Sequence, residues 1–133
     1  MSLMTSFDAI DVLYQRLKNT PFTTALQGGL YKLQRPVDSI AEDAVINSLG
    51  MPNNQVQQGI INLNIHVPNL SLRQDNTQPD FARAQQLTAL AIVQVKEFYS
   101  DDYWFLFQQQ NMVQGDDTES IVNIRIEFYS INL

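Results

Sequence analysis

His66 is the only histidine in the chain, and acid–base or metal chemistry normally needs such a residue to converge with partners. Its neighbours on the same side of the local alternation are Asn62 and Asn64, amides that carry no charge to orient an imidazole as a carboxylate would. A surface or hydrogen-bonding role is therefore expected for it. Asp116, Asp117 and Glu119 lie close together and offer oxygen ligands to a hard cation such as Ca²⁺, but their spacing fits no calcium loop. They read, like Glu42-Asp43 and Asp101-Asp102, as solvated turns or helix ends. No serine or threonine sits in a GxSxG setting, and Gly28-Gly29 precedes no phosphate-binding sequence. With no cysteine there is no thiolate nucleophile, no Cys-based zinc site and no disulfide. The expectation is a protein without catalytic residues, cofactor or bound metal.

What remains is contact chemistry. Fourteen acidic side chains against eight scattered basic ones give a formal charge of −6, which disfavours sequence-specific or duplex nucleic-acid binding, where phosphates must be neutralised by clustered Lys and Arg. Amides are plentiful, as in Asn53-Asn54-Gln55 and Gln108-Gln109-Gln110, and they hydrogen-bond without the desolvation cost of a charge. No apolar run is long enough for a membrane span, and MSLMTSFDAID lacks the basic start and apolar stretch of a signal peptide. The cytoplasm is the expected compartment. At 133 residues, 44% of them apolar, one domain spanning 1–133 suffices to bury a continuous core.

The elements that must present these groups follow from periodicity. Residues 7–18 place Phe7, Ile10, Leu13, Tyr14 and Leu17 at helical spacing behind a Thr5/Asp8 capping pair, and Asn19-Thr20-Pro21 ends the pattern. Leu30-Tyr31-Lys32-Leu33 has strand composition and is placed at a sheet edge by Pro36. Residues 40–49 are ambiguous between helix and strand, with Val45-Ile46 ahead of Gly50-Met51-Pro52 favouring a strand. From Gly59 to Val67 the alternation is strict, with Ile61, Leu63, Ile65 and Val67 on one side. A long helix is expected from Pro79-Asp80 to about Tyr99, its stripe made of Phe81, Ala84, Leu87, Leu90, Ala91, Val95 and Phe98. Residues 103–107 and 121–129 read as a closing hairpin around Gln114-Gly115-Asp116-Asp117. The order α-β-β-β-α-β-β predicts an α+β fold: an antiparallel or mixed sheet of four to five strands, with two helices packed on one face.

Candidate contact residues fall in two places. Residues 69–79 are long for a connection and read as an interaction loop, with Arg73, Asp75 and Asn76 as its polar groups. The 108–119 region adds Gln109, Asn111 and Asp116, and the adjoining Tyr103 and Trp104 are aromatics of the kind enriched at interfaces. Core packing is the plainer reading of those two rings, and both readings hold if they lie on opposite faces.

The element order, taken with Gly28-Gly29-Leu30-Tyr31-Lys32-Leu33-Gln34-Arg35-Pro36, the Gln58–Asn69 strand and its exit, the covering helix and the closing hairpin, resembles the tail-terminator, tail-completion or head–tail joining proteins of long-tailed bacteriophages and prophages. That resemblance implies a non-enzymatic structural protein in virion assembly. Its copies would form a homo-oligomeric ring at the tail end or head–tail junction, with phage tail-tube and neck or connector proteins as partners, in a bacterial host or as a virion component. DNA would pass through such a ring, and an acidic lumen would repel its phosphates. The alternative is a bacterial interaction or adaptor domain with no phage role.

Overall fold

Two long strands dominate the protein because their alternation runs unbroken. In the computed structural model, which describes residues 3–131, every residue of Val56–Pro68 pairs antiparallel with Glu119–Ile131. Ile61, Leu63, Ile65 and Val67 of the first and Val122, Ile124, Ile126 and Phe128 of the second all point to one side and are buried. Four further strands extend this pair into one mixed sheet. In chain order the strands are β1 (Leu30–Lys32), β2 (Ala44–Ser48), β3 (Val56–Pro68), β4 (Glu97–Tyr99), β5 (Tyr103–Gln114) and β6 (Glu119–Ile131). Across the sheet they run β1-β2-β3-β6-β5-β4, and only β1 and β2 are parallel.

Three helices cover the apolar side: α1 (Ser6–Leu17), α2 (Pro21–Ala25) and α3 (Phe81–Val95). The expected capping box is present, with Thr5 accepting from the Asp8 N–H while Asp8 Oδ2 accepts from the Thr5 N–H. Ala9, Ile10, Leu13 and Leu17 of α1 meet Ala84, Leu87, Ala91 and Val95 of α3 in one core with the strands. Gln57 stands among these apolar groups with no exposure. Its amide donates to the Met4 and Pro52 carbonyls at 2.9 and 3.0 Å and accepts from the Met4 N–H at 3.2 Å, which ties the start of the chain to β3.

The α+β single sheet matches the sequence reading, and several details differ. The sheet has six strands, where four to five were expected, and there are three helices, where two were. Pro21 does not only end α1: it occupies the first position of α2, behind a Thr20 cap, where its missing N–H is harmless. The long helix stops at Val95, short of Tyr99, because Glu97, Phe98 and Tyr99 pair with Leu106, Phe105 and Trp104. Phe98 thereby stacks on Phe105 and Tyr103 at centroid distances of 5.4 and 5.8 Å. Phe7 and Phe81, placed in the apolar stripes by periodicity, are instead exposed at 68% and 72%.

Leu87 is fully buried between α3 and the sheet. Leu87→Ala is expected to cost about 2–5 kcal/mol in denaturant unfolding, since truncation removes burial and leaves a cavity.

Candidate functional site

Among the described residues the second side of the sheet carries no helix, and its chemistry is polar. Asn62 donates to Asn47 at 3.2 Å, and Asn123 donates to Asn62 and Asn64 at 3.2 and 2.8 Å, so an amide chain crosses β2, β3 and β6. At one end of this face the amides give way to charge. Arg35, in the loop from β1 to β2, reaches over the sheet and grips both oxygens of Glu119 on β6, at 2.9 and 3.1 Å. Glu119 Oε1 also faces His66 Nδ1 at 3.1 Å. Arg35 lies 3.8 Å from Asp43 as well, whose carboxylate accepts from the Gly29 N–H at 2.9 Å and the Ser39 hydroxyl at 2.5 Å.

Gly28 belongs to this arrangement through its lack of a side chain. A Cβ there would fall 2.0 Å from Asp43 Oδ1 and 2.7 Å from the Glu42 carbonyl oxygen, leaving no room for the chain to turn against the acid pair. A second clamp flanks the first. Arg83 of α3 binds Glu42 through two bonds of 2.6 and 2.8 Å and the Ala25 carbonyl at 2.6 Å. The Glu42 bonds, set against some desolvation, raise the Arg83 pKa further above its ordinary value.

These clamps hold loops in place. Residues 33–43 are fixed by Arg35, Ser39, Glu42 and Asp43, yet Val37 and Ile40 of the same loop stand 78% and 85% exposed. The 69–79 loop is joined to the neighbouring 115–118 turn: Asn69 donates from its backbone to the Thr118 carbonyl at 2.8 Å and from its side chain to the Asn76 carbonyl at 3.1 Å. Each loop holds one Asp-x-Thr turn. Asp75 accepts from the Thr77 N–H and hydroxyl at 2.8 and 2.7 Å, and Asp116 accepts from both groups of Thr118 at 2.7 Å. The threonine bonds hold both carboxyl groups below the ordinary aspartate value, the hydroxyl bond leading at Asp75 and the backbone bond at Asp116.

The sequence-predicted contact residues therefore divide. Arg73, Asn76 and Asp116 are exposed and Asp75 half-buried, all at the end of the sheet that carries the clamps. Tyr103 and Trp104 sit at the opposite end of β5, opposite Ser130 and Tyr129, whereas the turn end pairs Gln114 with Ser120. At about 3.3 Å per residue that separation is roughly 35 Å, so one patch does not contain both groups. The rings do lie on opposite faces: Tyr103 stacks on Phe128 at 5.7 Å on the core side, and Trp104 stacks on Tyr129 at 5.3 Å on the open side. The Tyr129 hydroxyl donates to Glu127 at 2.8 Å, a bond that raises its pKa. Gln109 and Asn111 are exposed midway along β5, which runs as a strand to Gln114 and shortens the expected 108–119 turn to residues 115–118.

Three sequence expectations are corrected here. Glu119 is not a solvated turn residue but is 8% exposed, and Glu42 and Asp43, at 4% and 1%, are more deeply buried still. His66 has the carboxylate neighbour that its own strand lacked, supplied by β6. The alternation held part of this signal, since Glu119 is in phase with Ile121 and Asn123; the partner Arg35, 84 positions away, is visible only once the strands pair. Among the described residues no serine or threonine hydroxyl bonds His66, and no three His, Cys, Asp or Glu side chains converge as metal ligands. No helix among them is long and apolar enough to cross a membrane. The chain matches no protein-family model, and comparison with curated proteins gives no match.

Arg35→Met is expected to destabilise the protein by about 3 kcal/mol, because it strands Glu119 and Asp43 without their cation. Amide exchange in residues 33–43 should rise more than in β3. The depressed acids give a pH effect of known sign: their contribution is complete above the unfolded aspartate value, about 3.9, and is lost as pH falls through the lower folded value. NMR titration should place the Asp75 and Asp116 midpoints below the ordinary aspartate range, and Thr77→Val should move that of Asp75 back up.

Proposed function

We propose that this chain is a non-enzymatic structural subunit of the phage or prophage tail-terminator or head–tail joining type, acting by assembly with its own copies and with tail-tube and neck proteins. The observation that carries the assembly reading is the contrast within one loop. Arg35 and Asp43 lock residues 33–43 to the sheet through buried charge, while Val37 and Ile40 are held out into water at 78% and 85% exposure. Apolar groups on a floppy loop can collapse inward, but on a clamped loop they stay exposed and favour a protein surface that covers them. The joined 69–79 and 115–118 segments border the same end and contribute Leu70 and Leu72, also exposed.

The rest of the reading comes from the resemblance in element order, and the charge fits it. A formal charge of −6 on a ring subunit lets DNA slide past without sticking. Residence in a bacterial host or in the virion follows from the same proposal. Under the adaptor alternative, the same loop end would serve a cellular partner in place of tail proteins.

The test is co-assembly. Light scattering and negative-stain imaging of the protein, alone and with tail-tube protein, are expected to show rings or ring-capped tubes. Val37→Asp with Ile40→Asp should remove them while circular dichroism and melting stay unchanged, because both side chains are exposed. Unaltered association of a folded double variant would remove this end of the molecule from the interface, and no association with tail proteins under any condition would favour the adaptor reading.

A further inference from the structure

The sheet has two ends, and they are finished differently. At one end β1 is three residues long, its Lys32 is held by Asp11 at 2.6 Å, and Leu33 at φ 70° turns the chain away. Short length, a lysine and a sharp turn are the usual devices that stop a strand edge from recruiting another strand. At the other end β4 covers β5 only along Trp104, Phe105 and Leu106. Beyond Phe107 the pairing with β6 shifts register at Gln108, and residues 109–114 pair with β6 on one side and, among the described residues, with no strand on the other.

Past the irregularity at Gln108, that free stretch has neither a charge nor a proline to blunt it. Residues 108–114 read Gln-Gln-Gln-Asn-Met-Val-Gln, and the whole of 103–115 contains no charge and no proline. The Met112 N–H is satisfied by the neighbouring Asn111 side chain at 2.9 Å, a local substitute for a strand partner. Beside the edge, on the core side, a groove of about 630 Å³ opens between α3 and β5, with Phe81, Ala84, Ala89, Ile92 and Met112 among its lining residues. An extended chain laid along 108–114 would both complete the ladder and wall off this groove with every second side chain.

We propose that residues 108–114 of β5 form a self-pairing edge, in which two copies of this chain join antiparallel about a two-fold axis into a continuous sheet. The composition selects a second copy as the occupant. In a chain of formal charge −6 this is a long stretch on which copies meet without repulsion. The opposite edge is blunted, so a strand contact between copies has the same segment to use on both sides. Centred on Asn111, the pairing sets Asn111 against the partner's Asn111, Gln110 against the partner's Met112 and Gln109 against the partner's Val113. Gln110 and Met112 already line the groove, so their counterparts close its open side. This contact is isologous and separate from the ring contact proposed above, which rests on other loops.

Sedimentation velocity across a concentration series reads it directly. The wild-type chain is expected to pass from monomer to dimer, with amide exchange in 108–114 slowing as dimer forms. Asn111→Lys places like charges opposite each other and should weaken dimerisation by at least about fivefold, as should Asn111→Glu; an equimolar mixture of the two should recover it. Unchanged circular dichroism checks that each variant folds. A wild-type chain that stays monomeric at every concentration, a dimer indifferent to Asn111→Lys, or a mixture no stronger than its components would overturn the proposal. Rings that form normally from Asn111→Lys protein would leave the assembly role standing and localise the ring contact elsewhere.

Discussion

The pairing of β3 with β6 is the constraint on which everything else in this protein rests. Thirteen residues on each strand are in register, and because side chains alternate, one choice of register assigns every one of them to a face. A slip by one residue would turn one strand over relative to the other, bringing either Asn62, Asn64 and His66 or Asn123 and Arg125 against α1 and α3 and exposing that strand's four buried apolar side chains. The unpaired amides and charge in that arrangement would cost far more than any local contact returns. The register is thus fixed by burial, and the helices follow, since only one face of the ladder needs covering.

The same register builds the polar end. His66 and Glu119 come from different strands and meet because β3 and β6 align Pro68 with Glu119 and His66 with Ile121. Once Glu119 is held on the sheet, Arg35 has a bidentate target, and the loop that carries Arg35 is drawn over the open face. A buried ion pair is a weak source of net stability, because desolvation of both charges opposes their attraction. Its effect here is directional: it selects one loop position, at which Val37 and Ile40 face water, and it penalises the alternatives. Apolar residues in those positions would pack equally well in several loop conformations.

Much of this order was legible in the residues. The Gly59–Val67 alternation and the apolar spacing of Ala84, Leu87, Ala91 and Val95 announced the faces that are buried, since period alone decides them. Two of the differences have separate causes, one a tertiary contact and one a local cap. Phe98 continues the helical stripe of α3 by spacing, yet gains more by stacking in a strand on Phe105 than by ending a helix. Pro21 signals a helix stop and a helix start alike, and the capping Thr20 decides for the start. The candidate site was less legible for a stronger reason: Glu42, Asp43 and Glu119 look like any acidic surface residue in sequence, and only the approach of Arg83 and Arg35 from distant segments turns them into buried anchors.

Gln-rich strands pose an opposite problem. Gln109 and Asn111 stood out as amides in a region expected to be a turn, whereas they form a strand whose outer side is bare. Amides suit that position in either state, since they hydrogen-bond to water when free and to a neighbouring strand or to each other when paired, with no charge to desolvate in the exchange. A lysine at the same place would set like charges against each other when two such edges met. The contrast between the two edges of one sheet, one blunted and one left open over an uncharged stretch, therefore has a physical consequence: strand addition to this sheet is favoured on the β5 side, next to the groove under α3.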